Sequence, residues 1–177
     1  IYGLIGKNGA GKTTLIRIVC GLQKPTLGKY TIYGVSNENK KIIKSRKRLG
    51  AIIETPSICL DMTAEENIKE QYKLLGLPNY EGRKELLKPV ELDKTGKKTA
   101  KHFSLGMRQR LGIAIALAGN PDILILDEPI NGLDPEGIIE IRELIIKLNK
   151  ERGITFLISS HYLDELAKIA TCYGIID

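Results

Sequence analysis

Short continuous apolar runs alternate along this chain with stretches in which apolar residues recur at helical spacing. The run from Ile123 to Leu126 is the clearest strand pattern, because an unbroken apolar segment is expected of a strand covered on both faces. Phe103, Met107 and Leu111 begin the clearest helical stripe, which predicts one helix from about Leu105 to Ala118. Strands that alternate with helices in this way predict an α/β fold with a mostly parallel sheet.

The same two patterns predict the remaining elements. Further strands are expected at residues 1–5, 29–33, 50–53 and 154–159, and a last one from residue 173. Further helices are expected at residues 14–19, through the basic stretch 40–48, from residue 63 onward, at 81–88, from 135 to about 152, and from about 163 to 170. Thr63 and Glu66 have the spacing of a capping box, and Asp134 followed by Pro135 is typical of a helix start.

A polar and helical section interrupts the strand pattern after residue 55. We therefore expect a core formed by about residues 1–55 and 120–177, with a helical lobe inserted at about 56–119. The first residue already lies in a predicted strand, and the last residues resemble a strand that stops abruptly. These two features predict a fragment of a longer protein, truncated at both ends.

Composition is that of an ordinary globular protein. Of the 177 residues, 42% are hydrophobic and 27% are charged, which suits one domain with a sizeable core. No apolar run approaches the roughly 20 residues that a membrane-spanning helix needs, and no signal-peptide pattern is present. Cys20, Cys59 and Cys172 are odd in number and scattered, which favours reduced core residues of a cytosolic protein over disulfides or a metal site.

The formal net charge is +6, and part of it comes from a basic cluster at residues 40–48. Such a cluster could bind nucleic acid or an anionic membrane surface. A solvated helix face is the favoured interpretation, because Ile42, Ile43 and Leu49 interrupt the basic residues and no aromatic residue is interleaved for base stacking. No nucleic-acid partner is therefore expected.

A glycine-rich loop between the first strand and the first helix carries candidate chemistry. Residues 6–13 match the phosphate-binding pattern G-x-x-x-x-G-K-[ST] in the strand-loop-helix context that this pattern requires, although an ordinary glycine-rich turn is the alternative. Glycines let the backbone approach phosphates, and a helix N-terminus favours anions. Lys12 would face the β- and γ-phosphates, and Thr13 would ligate Mg²⁺. The predicted nucleotide-binding residues of this loop are Gly6, Asn8, Gly9, Ala10, Gly11, Lys12, Thr13 and Thr14.

Two acids follow the buried strand at 123–126. Asp127 supplies a carboxylate near the Mg²⁺ that Thr13 would also hold. Glu128 can point toward the γ-phosphate, where a carboxylate could orient or deprotonate an attacking water. An Asp-Glu pair after a strand can also be a plain loop start or helix cap, but the matched phosphate loop favours the catalytic interpretation.

With these motifs in place, the chain resembles the ATP-binding cassette (ABC) family. Residues 103–110 resemble its signature segment, usually L-S-G-G-Q, with Ser104 and Gly106 in register. Residues 131–134, which end in Asp134, are similar to the D-loop, and Ser160-His161 resembles the switch-histidine segment. Together with the two motifs above, these five ordered motifs extend from residue 6 to residue 161. His102 lacks a partner motif and is interpreted as a surface residue.

Two departures from the family pattern point to a subgroup. Glu54 stands where the family usually has a glutamine, and the signature reads S-L-G-M instead of S-G-G-Q. Both features resemble the ATPase subunits of bacterial peptide-antibiotic exporters, the bacitracin-resistance and lantibiotic self-protection group. An ionised Glu54 can accept a hydrogen bond from water or bind Mg²⁺, but it cannot donate to a phosphate oxygen as an amide can. The aromatic residue on which the family stacks adenine is expected before residue 1.

The resemblance implies the ATPase subunit of an exporter at the cytoplasmic face of the cell membrane. It implies that two cassettes close head to tail and bury two ATP molecules with Mg²⁺, each phosphate loop facing Ser104 and Gly106 of the other cassette. Asp134 and Glu54 join the implied nucleotide-binding set, and Glu54 joins Thr13 and Asp127 as a possible metal ligand. The implied catalytic groups are Lys12 on the phosphates, Glu128 on the water and His161 on the γ-phosphate. Closure would drive a separate transmembrane permease.

Two other functions stay open at this point. A soluble ABC ATPase acting on the ribosome or on nucleic acid is suggested by the basic charge. The short separation of Lys12 and Ser104 leaves no room for the long coiled coil of chromosome-maintenance relatives, but a ribosome-acting protein with two cassettes in one chain is not excluded. A cassette that binds ATP without hydrolysing it is disfavoured, because the catalytic residues named above are intact.

Overall fold

The computed structural model describes residues 1–77, 82 and 84–177. The strands of the described chain are β1 (Tyr2–Ile5), β2 (Thr31–Ile32), β3 (Val35–Ser36), β4 (Leu49–Ile52), β5 (Ile123–Asp127), β6 (Thr155–Ser160) and β7 (Cys172–Ile175). The helices are α1 (Lys12–Cys20), α2 (Ile42–Arg46), α3 (Ala64–Leu74), α4 (Leu105–Ala116), α5 (Pro135–Arg152) and α6 (Leu163–Ala167), with short 3₁₀ turns at Ala100–His102 and Leu117–Gly119.

Five of these strands form one parallel sheet in the order β4-β5-β6-β1-β7, and β2 and β3 form a separate antiparallel hairpin. In this order β5, β6 and β1 are interior strands. Because neighbouring parallel strands end at the same edge, the loops after β1, β5 and β6 all emerge on one side of the sheet. This edge carries the phosphate loop and the two acids predicted from the sequence.

Alternate residues of β5 pack on opposite faces of the sheet, as the two-residue period of a strand requires. Leu124 and Leu126 belong to the larger hydrophobic cluster, which includes residues of α3, α4 and α5. Ile125 faces the smaller cluster, in which it packs with Leu4 of β1 and Ile16 of α1. Each of these fully buried side chains contributes roughly 1.5–3 kcal/mol from the hydrophobic effect. The apolar run therefore holds α1 on one face of the sheet and α3, α4 and α5 on the other.

The helical section 56–119 shares the larger hydrophobic cluster with the sheet. Ile68 of α3 and Leu111 of α4 are fully buried in the same cluster as Leu126 and Ile145. Thr63 and Glu66 form the predicted capping box at the start of α3, with the Glu66 N–H donating to the Thr63 hydroxyl and the Thr63 N–H donating to the Glu66 carboxylate. The division into a core and a lobe stays a prediction.

Three local predictions differ from the structure. The predicted helix 81–88 falls partly outside the described residues, and its described part, Gly82 with residues 84–88, forms successive turns. The predicted strand 29–33 is reduced to the two residues of β2, because the chain turns back at Gly34 to pair with β3. The cysteines are not all core residues, since Cys59 and Cys172 are exposed and Cys20 is half-buried. Across the described residues, no helix combines the length and the apolar character that a membrane crossing would need.

Candidate active site

The loop between β1 and α1 has the backbone shape expected for holding phosphates. Gly9 and Gly11 adopt left-handed conformations, with φ of 88° and 98°, which are unfavourable for residues with a side chain. Gly11 is the N-cap residue of α1, and because it has no side chain, no capping group covers the N–H groups of the first turn. This helix start can therefore bind an anion.

Lys12 is folded back over this loop. Its ammonium nitrogen donates to the carbonyl oxygens of Gly6, at 2.6 Å, and Lys7, at 3.1 Å. The side chain is only 6% exposed, and the nitrogen lies 3.5 Å from Oε1 of Glu128. A charge this buried needs such partners. The ammonium is thereby held at the centre of the site, where a phosphate oxygen could accept from it.

Thr13 and Asp127 meet at the carboxyl edge of the sheet. The Thr13 hydroxyl donates to Oδ2 of Asp127 at 2.7 Å, and the Ser159 hydroxyl donates to Oδ1 at 2.5 Å. Asp127 is 1% exposed, and Ser159 lies opposite it in the register of β5 and β6. The neighbouring strand therefore orients the carboxylate toward Thr13.

The Thr13 hydroxyl and the Asp127 carboxylate are hard oxygen donors of the kind Mg²⁺ prefers. In nucleotide sites Mg²⁺ is held by one or two protein groups together with phosphate oxygens and water. The described residues contain no cluster of three or more His, Cys, Asp or Glu side chains that could hold a metal by themselves. The residues present therefore fit a Mg²⁺ that arrives with a nucleotide.

Glu128 lies between two basic groups. Its Oε2 is 2.8 Å from Nδ1 of His161 and its Oε1 is 3.5 Å from the ammonium of Lys12. Its backbone is left-handed, with φ of 50°, and its N–H donates to both the carbonyl and the hydroxyl oxygens of Ser159. Ser159 thus also fixes the turn that carries Glu128. The 18% exposed carboxylate can still reach water in the cleft.

Lys12, Thr13, Glu128 and His161 border one open cleft of about 370 Å³, and the buried Asp127 is not part of its lining. Its lining residues are Asn8, Gly9, Gly11, Lys12, Thr13, Thr14, Glu128, Asn131 and His161. Backbone N–H groups, an ammonium, two hydroxyls, two side-chain amides, an imidazole and one carboxylate converge there. This set can bind a polyphosphate and place a base beside its terminal phosphate.

Glu54 occupies a different position from the other predicted metal ligands. It follows β4, its backbone is left-handed with φ of 63°, and its Oε1 accepts from the Arg17 guanidinium at 2.6 Å. It is not part of the lining of the cleft described above. Its contact with Mg²⁺ or nucleotide stays a prediction.

Ser104, Gly106 and Asp134 lie apart from the cleft lining. Ser104 is the N-cap of α4 and accepts from the Met107 N–H at 3.1 Å, and a Cβ added at Gly106 would meet only the side chains of Glu140 and Ser104, at ordinary van der Waals distances. Asp134 is exposed and caps α5 by accepting from the Gly137 N–H at 3.1 Å. In a single chain, the phosphate loop and the signature segment therefore belong to separate surfaces.

Three residues of this region were not predicted as site residues from the sequence. Ser159 orients both acids, Asn131 lines the cleft, and Arg17 holds Glu54. A signal for Ser159 was available, because it is a polar residue at the carboxyl end of a predicted buried strand, as Asp127 is. Its pairing with Asp127 depends on β5 and β6 being neighbours, which the sequence pattern does not state.

Comparison with known proteins shows the family to which the chain is related. The family model described as ABC transporter matches residues 1–131. The chain belongs to the ABC transporter family. It is 50% identical over 99% of its length to the bacitracin transport ATP-binding protein BcrA of Bacillus licheniformis, and 43% identical over 99% of its length to the lantibiotic transport ATP-binding protein SrtF of Streptococcus pyogenes.

Coverage of these relatives is partial. The chain spans 57% of the length of BcrA and 74% of the length of SrtF. Among solved structures, the chain matches the ATP-binding cassette MJ0796, a dimer in a post-hydrolysis state bound to ADP and phosphate, with a TM-score of 0.84 and 27% identity over 100% of this chain and 81% of the other.

These findings confirm the predicted α/β cassette fold and the resemblance to the bacitracin and lantibiotic group. Family membership also supports ATP as the nucleotide. The alternative of a soluble ATPase acting on the ribosome or nucleic acid is not favoured, because the relatives named above are transport proteins.

Proposed function

We propose that this chain is the ATP-binding and hydrolysing cassette of an exporter subunit that couples ATP-driven dimerisation to transport through a separate membrane permease. The observation that carries the proposal is the placement of Glu128 between His161 and Lys12 beside the phosphate loop. A general base must lie within hydrogen-bond reach of the proton that it takes, and this arrangement provides a carboxylate that is both oriented and open to water.

Hydrolysis requires a water to attack the γ-phosphorus while its proton passes to a base and ADP leaves. Glu128 is the proposed base, because its carboxylate lies at the cleft and can accept the proton. His161 contacts the same carboxylate through Nδ1, so it can orient Glu128, and Nε2 is the ring nitrogen left to face the γ-phosphate. Lys12 and the N–H groups of the loop would bind the phosphates and stabilise the charge on their oxygens.

Thr13 and Asp127 are the proposed Mg²⁺ ligands, and their 2.7 Å contact supports this assignment. When bound, Mg²⁺ would neutralise charge on the β- and γ-phosphate oxygens. Ser159 keeps one Asp127 oxygen occupied and leaves the other directed toward Thr13. Glu54 is a further candidate ligand, which would bind the Mg²⁺ through a water.

The proposed active unit contains two cassettes. Ser104 and Gly106 lie at the exposed start of α4 and do not line the cleft of their own chain, which supports a role opposite the phosphate loop of a second cassette. The dimeric cassette MJ0796 is a solved structure with the same fold. Asp134 is exposed at the start of α5 and is proposed to lie near the same interface between the two cassettes.

A transmembrane permease subunit is the proposed membrane partner, which would place this chain peripherally at the cytoplasmic face of the membrane. The names of BcrA and SrtF support this partner and suggest peptide antibiotics as the cargo. Such an exporter would give resistance or self-protection.

Substitution of Glu128 tests the catalytic assignment. The variant Glu128→Gln keeps the shape but cannot take a proton, so it should bind ATP and lose hydrolysis by roughly 10²-fold or more. ATP binding is measured by displacement of a fluorescent nucleotide, and hydrolysis by phosphate release. Glu151→Gln, an exposed position near the end of α5, is the matched control and should behave as the parent. Turnover of Glu128→Gln at the parental rate would remove Glu128 as the base.

A further inference from the structure

Arg17 is a residue of α1 to which neither the motifs nor the comparisons assign a role. It lies four residues after Thr13, so both side chains project from the same face of α1. Its guanidinium donates to Oε1 of Glu54 at 2.6 Å. The pair therefore links the helix that begins at the phosphate loop to the loop that follows β4.

The sheet register places Glu54 at the same edge as the catalytic acid. Ile52 of β4 lies opposite Leu126 of β5, so Glu54 and Glu128 each stand two residues beyond a paired position. Both residues have left-handed backbones, with φ of 63° and 50°. A left-handed conformation is unfavourable for a residue with a side chain, and such conformations are enriched at ligand-binding sites, although Tyr33, Glu91 and Asn120 also adopt one in this chain.

A carboxylate at this edge has an electrostatic disadvantage. The phosphates of a bound nucleotide are strongly negative, and like charges disfavour each other at short range. Where the family usually has a neutral amide, this chain has Glu54. Arg17 removes the disadvantage, because its positive charge is in direct contact with the carboxylate.

We infer that Arg17 is a positioning residue that neutralises Glu54 and holds its Oε1, so that a carboxylate can stand at the sheet edge where a triphosphate would bind. The inference rests on the proposed function, because it requires a nucleotide with Mg²⁺ in the cleft. Arg17 acts through Glu54 and is not a catalytic residue. The alternative is an ordinary surface ion pair, since the two side chains are 41% and 59% exposed.

A double-mutant cycle on nucleotide binding separates these two cases. The affinities of the intact protein, Arg17→Ala, Glu54→Gln and the double variant are measured with a fluorescent ATP analogue, with Mg²⁺ and with EDTA. Arg17→Ala should weaken binding by about two- to five-fold at low salt, the range expected for a partly exposed pair. The double variant should bind as Glu54→Gln does, because a neutral amide needs no counter-charge.

Two further measurements distinguish charge from shape. Arg17→Lys keeps the charge and should retain most of the affinity, and the loss in Arg17→Ala should shrink at high ionic strength, where screening is strong. A thermal melt of each variant shows that it is folded. A loss of the same size in the Glu54→Gln background, or an Arg17→Ala variant that binds as the parent, would overturn the inference.

Arg48→Ala is the matched control. Arg48 pairs with Asp122 on the exposed surface at the amino end of β4 and β5, the edge of the sheet opposite the cleft, and its removal changes the net charge by the same amount. Its affinity should equal that of the parent. Lys12→Ala separates the two proposals, because nucleotide binding that does not depend on Lys12 would contradict the proposed function. Nucleotide binding that is lost in Lys12→Ala but unchanged in Arg17→Ala would contradict only this inference.

Discussion

Ser159 shows how one side chain can organise the site. Its hydroxyl donates to Asp127 and accepts from the N–H of Glu128, so it orients the proposed metal ligand and the proposed base together. The residue is fully buried, and water therefore cannot replace these hydrogen bonds at low cost.

The variant Ser159→Ala should slow ATP hydrolysis by about tenfold, because one buried hydrogen bond is worth roughly 1–1.5 kcal/mol and 1.4 kcal/mol is a factor of ten. Binding of ATP in the absence of Mg²⁺ should change less, since the phosphate loop is untouched. Steady-state phosphate release and nucleotide displacement measure the two effects. Ser45→Ala, a buried serine of α2, is the control and should leave hydrolysis unchanged. Parental kcat in Ser159→Ala would show that the hydroxyl does not orient the acids.

Cys20 differs from the other two cysteines in its surroundings. Burial raises the pKa of the Cys20 thiol from 9.0 to about 11, although the nearby Arg46 guanidinium partly opposes this shift. The thiolate is the reactive form of a cysteine. Native protein should therefore be alkylated by iodoacetamide at the exposed Cys59 and Cys172 well before Cys20, as read by peptide mass spectrometry.

The same shift has a consequence for stability. Because the folded-state pKa is raised, the unfolded chain loses this proton first, and the free energy of unfolding should fall as pH rises from about 9 to about 11. Below pH 9 the thiol is protonated in both states and contributes no pH dependence.

Equal alkylation rates for all three cysteines in folded protein at pH 8 would contradict the burial of Cys20.

Among the elements, α1 is the one that links the fold to the site, and both of its ends are specified. Its first turn belongs to the phosphate loop, and its last carbonyl groups are held by residues distant in sequence. The Tyr30 hydroxyl donates to the Ile18 carbonyl oxygen at 2.8 Å, and Nε of Arg46 donates to the Val19 carbonyl oxygen at 3.1 Å. Arg46 also donates to the Tyr30 hydroxyl. A cation at the carboxyl end of a helix is favoured by the helix dipole.

Arg46→Ala should therefore destabilise the protein by about 1 kcal/mol, which corresponds to a fall in melting temperature of about 2–4 °C for a domain of this size. Thermal denaturation followed by circular dichroism measures the change. The neighbouring and exposed Lys47 provides the control, because Lys47→Ala removes one positive charge without removing these hydrogen bonds. Equal melting temperatures for the two variants would show that Arg46 does not stabilise the end of α1.

At the scale of helices and strands, the sequence patterns predicted most of the elements that the structure contains. The capping box of α3, the Asp134-Pro135 start of α5 and the apolar strand β5 are local patterns, and each is present in the structure. The exceptions are the described part of the predicted helix 81–88, which forms turns, and β2, which is shortened by its hairpin with β3. Both exceptions lie where turns or tertiary contacts override a short local preference.

At the scale of the whole molecule, the proposed dimer would form each ATP site from residues of two chains. The phosphate loop, Glu128 and His161 converge on one cleft, whereas Ser104 lies at the start of α4 outside its lining. Removal of the Ser104 side chain would also remove the cap of α4, so a test of the dimer needs variants that keep the cap.

Asparagine and aspartate cap helices as well as serine does, so Ser104→Asn and Ser104→Asp form a matched pair. Only aspartate would bring a negative charge to the partner's phosphates. The variant Ser104→Asp should lose ATP-dependent dimerisation in a Glu128→Gln background, measured by size-exclusion chromatography with light scattering, while Ser104→Asn should keep more of it. Both should retain the ATP affinity of the monomer. A weakened monomer affinity in Ser104→Asp alone would place Ser104 in its own chain's site.

The sequence by itself determined the local chemistry: the glycines of the phosphate loop, the acids that end β5, the helix caps and the family to which these motifs belong. Such features depend on residues near one another in the chain, where backbone geometry and side-chain type act directly. Only the tertiary structure decided the strand order β4-β5-β6-β1-β7, the pairing of Ser159 with Asp127, the placement of Glu128 between Lys12 and His161, and the ion pair of Arg17 with Glu54. These arrangements join residues far apart in the chain, and their geometry follows from strand pairing and burial, which no local pattern specifies.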